Sequence, residues 1–408
     1  MMATVTPLHS RKWRDEVQIS STGAIKPNLY NACLAIRHDP SFKGAVAHND
    51  FAIRPVIQRP IPWSDDVGRY WDANDDNKLN EWLQENDINV NLKVAQQAIE
   101  TVAYENRYHP VRDWLEMLEW DGQQRIDQWL TYYLGVELTP YSQAVGKAWL
   151  VSAVARVMRP GCKADHVLIL EGRQGLKKST ALKTLAGHGL FTDEIDDLGS
   201  KDAAMQMKGV WIIELGELDH LGRVDASRIK AFLTRSVDRF RPPYGSRLIE
   251  SERECVFCGT VNQDEYFKDE TGNRRFWPVR CGPSIDIEGI AHDREQIWAE
   301  AVAAFRNGDP WWIEDRDITA QADQEQSDRM ESDSWTGDIL DWVNRQLTPQ
   351  TTREILCGAI SMRLADITRA HEMRVSKAMK ASGYTRQSGS GNKSYQKVWV
   401  PARRADPP

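Results

Sequence analysis

The stretch HVLILEGRQGLKKSTALKTLAG, residues 166–187, decides how the chain is read. Four aliphatic residues from Val167 to Leu170 suit a short buried strand, the next ten residues are polar and glycine-bearing, and ALKTLAG is helix-forming. The phosphate-loop pattern G-x-x-x-x-G-K-[ST] is met at Gly172, Lys178 and Ser179, whereas Lys177 stands where the second glycine belongs. Such a loop works by aiming backbone N–H groups and a helix N-terminus, with about half a positive charge, at phosphate oxygens. Gly175 supplies flexibility earlier in the loop, and Lys177 has to take a conformation that glycine takes more cheaply. A strand before the motif and a helix after it favour nucleotide binding over an ordinary surface turn. The expected contacts to ATP are Gly172, Gly175, Lys177, Lys178, Ser179 and Thr180, with Lys178 on the β/γ-phosphates and Ser179 on Mg2+.

Working outward, three further apolar runs read as buried strands: VWIIEL (210–215), ECVFCGT (254–260) and FWPVRC (276–281). VWIIEL puts an acid, Glu214, after its apolar residues, the Walker B pattern, with Glu217 three positions on. We expect Glu214 to orient Mg2+ or the attacking water and Glu217 to share the task; without the phosphate loop the pair reads equally well as two acids at an exposed strand end. Asn262, just beyond ECVFCGT, both donates and accepts hydrogen bonds and suits a sensor of the γ-phosphate. Arg274 and Arg275, ahead of the last strand, are candidates for an arginine finger supplied to a neighbouring subunit. The alternative for either is a salt bridge to Asp269 or Glu270. Cys255 and Cys258 form a Cys-x-x-Cys pair, but no second Cys/His pair with zinc spacing accompanies it, and a buried strand turns residues three apart to opposite faces.

Helical or loop segments between the strands predict a parallel α/β sheet covered on both faces, beginning after a long helix, YSQAVGKAWLVSAVARVMRP. The expected divisions are a mixed, mainly helical N-terminal domain (1–140), an ATPase domain (141–312), an acidic linker or exposed helix (313–335), a winged-helix-like domain (336–402) and a disordered tail (403–408). Trp114, Leu115, Leu118, Trp129 and Leu130 are expected in the core. The 408 residues are 41% hydrophobic and 27% charged, which excludes collagen-like, wholly disordered and membrane-spanning classes. The N-terminus has no apolar signal core, so a cytoplasmic location is expected. The net charge of −7 is unevenly spread: residues 64–88 and 313–335 are each −6, whereas 228–247 are +5 and 336–408 are +6.

EGRQGLKKSTALKTLAG, KDAAMQMKGVWIIELGELD, RIKAFLTRSVDRFRPPYG, ECVFCGTVN and DETGNRRFWPV together resemble the virulence-associated protein E family of phages and mobile elements. That resemblance covers roughly residues 140–310. It implies an AAA+-like core related to superfamily 3 helicases, a DNA-stimulated ATPase acting in replication, and a homo-oligomer, often hexameric. Some relatives carry a primase domain; no segment of this chain has the length and acidic triad for one.

The basic zones fit DNA as a partner, single-stranded or forked. VDRFRPPYGSRLI (237–249) has a strand–turn–strand pattern, and a hairpin between Walker B and sensor projects into the central channel of superfamily 3 helicases. Lys230, Arg239, Arg241 and Arg247 are expected to pair with phosphates and Tyr244 to stack on a base. Residues 336–400 resemble a winged helix, with GDILDWVNRQL, TTREILCGAI and LADITRAHEMRVSKAMKASGY as helices and a wing around residues 388–392. Arg374 and Lys377 on its third helix would face DNA; such modules also dock replication proteins. The leading expectation is an ATP-driven helicase or translocase. Its competitors are a nucleotide-dependent DNA-binding switch, loader or packaging factor that does not unwind, and a small-molecule kinase, which leaves the basic zones unexplained.

Overall fold

A computed structural model describes residues 12–195, 201–216, 223–241, 248–263, 266–267, 273–330, 334–390 and 395–402. The chain divides into two compact units, Met1–Arg329 and Met330–Pro408.

The first unit begins with helix α1 (Leu29–His38), strands β1 (Val46–Asn49) and β2 (Arg54–Ile57), helices α2 (Ala73–Glu85) and α3 (Leu92–Glu105), and strand β3 (Arg107–Tyr108). The sheet order is β2-β1-β3, with β1 antiparallel to β2 and parallel to β3. Its separate core gathers Phe42, Leu79, Trp82, Ile99 and Val102. The acidic stretch 64–88 contains all of α2: Asp72 caps the helix and Asp75 returns the bond, a reciprocal cap that satisfies two otherwise orphaned N–H groups. Buried Asp75 also holds Arg69 at 2.6 Å, so part of this acidity is structural.

Next come α4 (Pro110–Met117), α5 (Trp129–Leu134) and α6 (Pro140–Met158). Leu115, Trp129 and Leu130 enter the main core, as the aromatic pattern predicts, and Trp114 and Leu118 pack against it. Helices α4 and α5 therefore belong with the central domain rather than with residues 1–109, which shifts the expected boundary at 140 toward the N-terminus. Their apolar faces have the central core, not the small sheet, to cover them.

That central domain comprises β4 (Val167–Glu171), α7 (Lys178–Ala186), β5 (Phe191–Thr192), α8 (Lys201–Gln206), β6 (Ile212–Leu215), α9 (Arg223–Leu233), the antiparallel hairpin β7 (Val237–Phe240) and β8 (Ile249–Glu252), β9 (Val256–Val261), β10 (Phe276–Arg280), α10 (Ile287–Asn307) and α11 (Arg316–Asp328). The five strands of the main sheet are parallel in the order β10-β4-β9-β6-β5. All four expected strands are present within two residues of their sequence limits. Leu168, Ile169 and Leu170 are fully buried, each contributing about 1.5–3 kcal/mol. Trp149 of α6 and Trp298 of α10 lie in the core on one side, while Phe257 of β9 meets Phe232 of α9 at 5.9 Å on the other. The thiols of Cys255 and Cys258 are both buried, and that of Cys258 donates to the Ile213 carbonyl.

The acidic segment 313–335 is not a free linker over its central part. Helix α11 lies on β10 and α6, buries Ala322 and Gln326, and donates from Gln326 to the Phe276 carbonyl at 2.9 Å. Its acids occupy the outward face of an amphipathic helix, which charge counting alone cannot distinguish from a linker.

The second unit has helices α12 (Ser334–Asn344), α13 (Thr352–Gly358) and α14 (Arg369–Ala381), with strands β11 (Gln350–Thr351), β12 (Tyr384–Ser388) and β13 (Lys397–Pro401). The strands form an antiparallel sheet in the order β11-β13-β12, closed over Ile339, Ile355, Val375, Met379 and Trp399. The third helix starts at Arg369 rather than near Leu364, because Thr368 caps it and a short 3-10 turn precedes it. The tail 403–408 lies outside the described residues. Among the described residues, no helix is long and apolar enough to cross a membrane.

Candidate nucleotide site

The site lies at the C-terminal edge of the main sheet, where a ligand meets loops from several strands at a reversal of strand order. Strand β9 stands between β4 and β6, so the ends of the three motif-bearing strands are neighbours. In the loop after β4, Gly172 has φ +145° and a Cβ there would come within 2.9 Å of Leu176, so the close fold-back of the loop requires glycine. Lys177 takes the left-handed conformation, φ 66° and ψ 29°, as the cap of α7. A non-glycine residue pays about 1–2 kcal/mol for this, less than the burial of β4 returns.

Lys178 is buried, and its ammonium donates to the carbonyls of Gly172 at 2.5 Å and Arg173 at 3.2 Å and to Asn262 Oδ1 at 3.0 Å. Ser179 Oγ donates to Glu214 Oε1 at 2.9 Å. The same oxygen accepts from Thr260 Oγ1 at 2.5 Å. Glu214 is buried, and burial pushes its carboxyl above the usual carboxylate range, partly offset by the hydroxyls of Thr260 and Ser179. Its second oxygen, Oε2, is buried and has no hydrogen-bond partner among the described residues. A buried anionic oxygen with one side unmet, beside a serine hydroxyl, fits a hard divalent cation or its water.

Sequence reasoning thus brought together Lys178, Ser179, Glu214 and Asn262, with Gly172 and Gly175 in the loop and Thr180 in the first turn of α7. It missed Thr260; the only signal was a hydroxyl residue two positions before Asn262. Glu217 lies outside the described residues.

Arg274 and Arg275 are at the other edge of the sheet, just before β10. Arg275 is ion-paired to Asp165 at 3.3 Å, ahead of β4, whereas Asp269 and Glu270 lie outside the described residues; Arg274 is exposed. The length of β4 separates them from the phosphate loop, about 16 Å at 3.3 Å per residue. Neither serves the loop of its own chain.

The basic zone divides by facing. Lys230 is buried, contrary to its expected role on DNA, because α9 turns Ile229, Lys230, Phe232 and Leu233 inward. Arg239 is exposed but crosses the hairpin to Glu250 at 2.9 Å, and Arg241 is exposed. Tyr244 and Arg247 lie outside the described residues. In the second unit, Arg374 stacks on Trp335 at 3.7 Å and donates to Ser334, so its guanidinium is engaged within the unit; Lys377 is half-buried.

A family model described as a virulence-associated protein E-like domain matches residues 115–331, more than half of the chain. The chain belongs to that family. The matched region of this virulence-associated protein E-like chain starts within α4 and takes in the whole candidate site and α11. Among solved structures, "The apo structure of NrS-1 C terminal region (305-718)" is similar at 14% identity and a TM-score of 0.49, covering 88% of this chain and 95% of that one. An A-form apo structure of the NrS-1 C-terminal region is similar at 13% identity and a TM-score of 0.48, covering 92% and 100%. Comparison with curated proteins gives no match.

Proposed function

We propose that the chain is a DNA-stimulated ATPase of AAA+-like, superfamily 3 type, working as a ring in the replication of phage or mobile-element DNA. The convergence of Lys178, Ser179, Thr260, Glu214 and Asn262 at three neighbouring strand ends carries this reading. Lys178 would exchange its loop carbonyls for β/γ-phosphate oxygens, while the N–H groups of residues 173–179 cradle the phosphates. Ser179 and Glu214 would hold Mg2+, whose charge offsets that developing on the transferred phosphoryl group. Asn262 would orient the attacking water, and Glu217 would share the acidic role. Arg274, exposed at the opposite edge, is the better finger candidate for a neighbouring subunit; Arg275 is already paired.

Arg239 and Arg241, with Tyr244 and Arg247 from the sequence that follows, would line a channel for single-stranded DNA. The second unit, three helices with a three-stranded sheet, reads as a winged helix that contacts DNA or a replication protein. The position of Lys177 favours a second reading, a slow nucleotide-dependent switch without unwinding, since a side chain there restricts the loop. ATP hydrolysis with and without single-stranded DNA, beside unwinding of a forked duplex, separates the readings. The helicase reading expects both activities; nucleotide binding without turnover supports the switch, and DNA-independent turnover rejects the coupling to DNA.

A further inference from the structure

Glu171, the last residue of β4, immediately precedes Gly172 of the phosphate loop and is 1% exposed. No step proposed above uses its carboxylate, and a buried carboxylate without compensation is strongly unfavourable. Compensation comes from Arg329 at the end of α11, which donates from Nε to Oε1 and from Nη2 to Oε2, the latter at 2.8 Å. Tyr266 Oη adds a bond to Oε1 at 2.9 Å. Arg329 also acts through its backbone: its carbonyl accepts from the N–H groups of Tyr266 and Phe267, each at 3.0 Å. Its remaining nitrogen, Nη1, donates to the carbonyl and carboxylate of Glu325, one turn earlier in α11.

One residue therefore grips the base of the phosphate loop with its side chain and the segment following Asn262 with its main chain. Tyr266 closes the same circuit from the sensor side. Asn262 Oδ1 in turn meets the Lys178 ammonium, so the two motifs are tied both at the reactive end and behind it. The bidentate fork holds the pair in register more tightly than a single contact would.

We infer that Arg329 and Tyr266 are positioning residues, a latch through Glu171 that holds the Asn262 segment at its working distance from the phosphate loop. The inference rests on the ATPase reading. It assigns a role in turnover to α11, a segment whose composition alone suggests a solvent-exposed connection. Because neither residue faces the phosphates through the bonds described, loosening the latch displaces the sensor while leaving nucleotide affinity nearly intact.

The test uses the full chain carrying Arg329→Lys, Arg329→Gln, Tyr266→Phe, or Tyr266→Phe combined with Arg329→Lys. Affinity for a fluorescent ATP analogue with Mg2+, kcat for ATP and the melting temperature are measured for each. Tyr266→Phe removes one hydroxyl and keeps the ring, so it remains informative if Arg329→Gln fails to fold. The latch expects nucleotide Kd within about twofold of the parent, with kcat lowered about tenfold in Tyr266→Phe and Arg329→Lys, since small misplacements cost rate rather than binding. The double variant should fall by less than the product of the single effects, because both changes break one unit. Unchanged kcat in folded Tyr266→Phe and Arg329→Lys overturns the latch, as does a parallel loss of affinity, rate and melting temperature. A parent protein that binds no nucleotide or hydrolyses none overturns the ATPase reading itself, and the latch with it.

Discussion

Lys177 and Glu214 each store an unfavourable local arrangement beside the phosphate loop. Lys177 is left-handed at the cap of α7, and glycine would remove that strain at the cost of greater freedom in the unfolded chain. We expect Lys177→Gly to raise stability by about 0.5–1 kcal/mol in urea denaturation, and Lys177→Ala, which keeps a Cβ, to give no such gain. Equal behaviour of the two variants would remove strain as the explanation. At Glu214, burial raises the folded-state pKa above the unfolded one. The ionised side chain therefore subtracts stability at neutral pH, and the penalty fades as pH falls through the raised folded value toward the unfolded one. Glu214→Gln should melt above the parent at neutral pH, converge with it in acid, and lose ATP hydrolysis by about 10²-fold or more. The sequence named both residues from the motif. It did not reveal the unmet Oε2 of Glu214 or the hydroxyl of Thr260, since a residue 46 positions away becomes a neighbour only when β9 lies beside β6.

At the scale of elements, the β7–β8 hairpin shows how facing reorganises a charged segment. Its base is held by Arg253, 1% exposed, which bonds both oxygens of Asp238 at 2.7 and 2.9 Å and the Phe232 carbonyl at 2.6 Å. The guanidinium lies 4.2 Å from the Phe232 ring, fixing the hairpin to α9. Arg253→Met should destabilise the chain by about 3–5 kcal/mol, because it leaves Asp238 buried and unpaired, whereas Arg253→Met with Asp238→Leu should recover much of the loss. Denaturant unfolding checks both. If the hairpin contacts DNA as proposed, the folded double variant should also lose part of its DNA-stimulated hydrolysis. Read as a list of charges, 228–247 looks uniformly solvated; in the fold Lys230 and Asp238 are buried, Arg239 crosses to Glu250, and Arg241 is exposed. The packed face of α11 was hidden in the same way, because Ala322 and Gln326 are its buried residues, too little hydrophobicity to stand out among the eight acids of residues 313–335.

For the whole molecule, the separation of Arg274 from the phosphate loop matters most. If Arg274 is the finger proposed above, its separation of about 16 Å by strand length from the loop of its own chain would direct it to a neighbour's site. Arg274→Ala and Lys178→Ala proteins should each be inactive alone, while their mixture regains a measurable fraction of ATPase activity by pairing an intact loop with an intact finger. A mixture with no recovery, from proteins shown to co-assemble, would reject the finger. The amino-acid sequence by itself determined the strand positions and the glycine-lysine loop after β4, because aliphatic runs and glycine-lysine spacing are local patterns imposed by burial and backbone geometry. Tertiary structure alone decided which charges face solvent, that Arg275 serves Asp165, and that Glu171, Tyr266 and Arg329 meet behind the loop. These depend on strand order and helix packing, which bring together residues up to 158 positions apart, a relation no local pattern encodes.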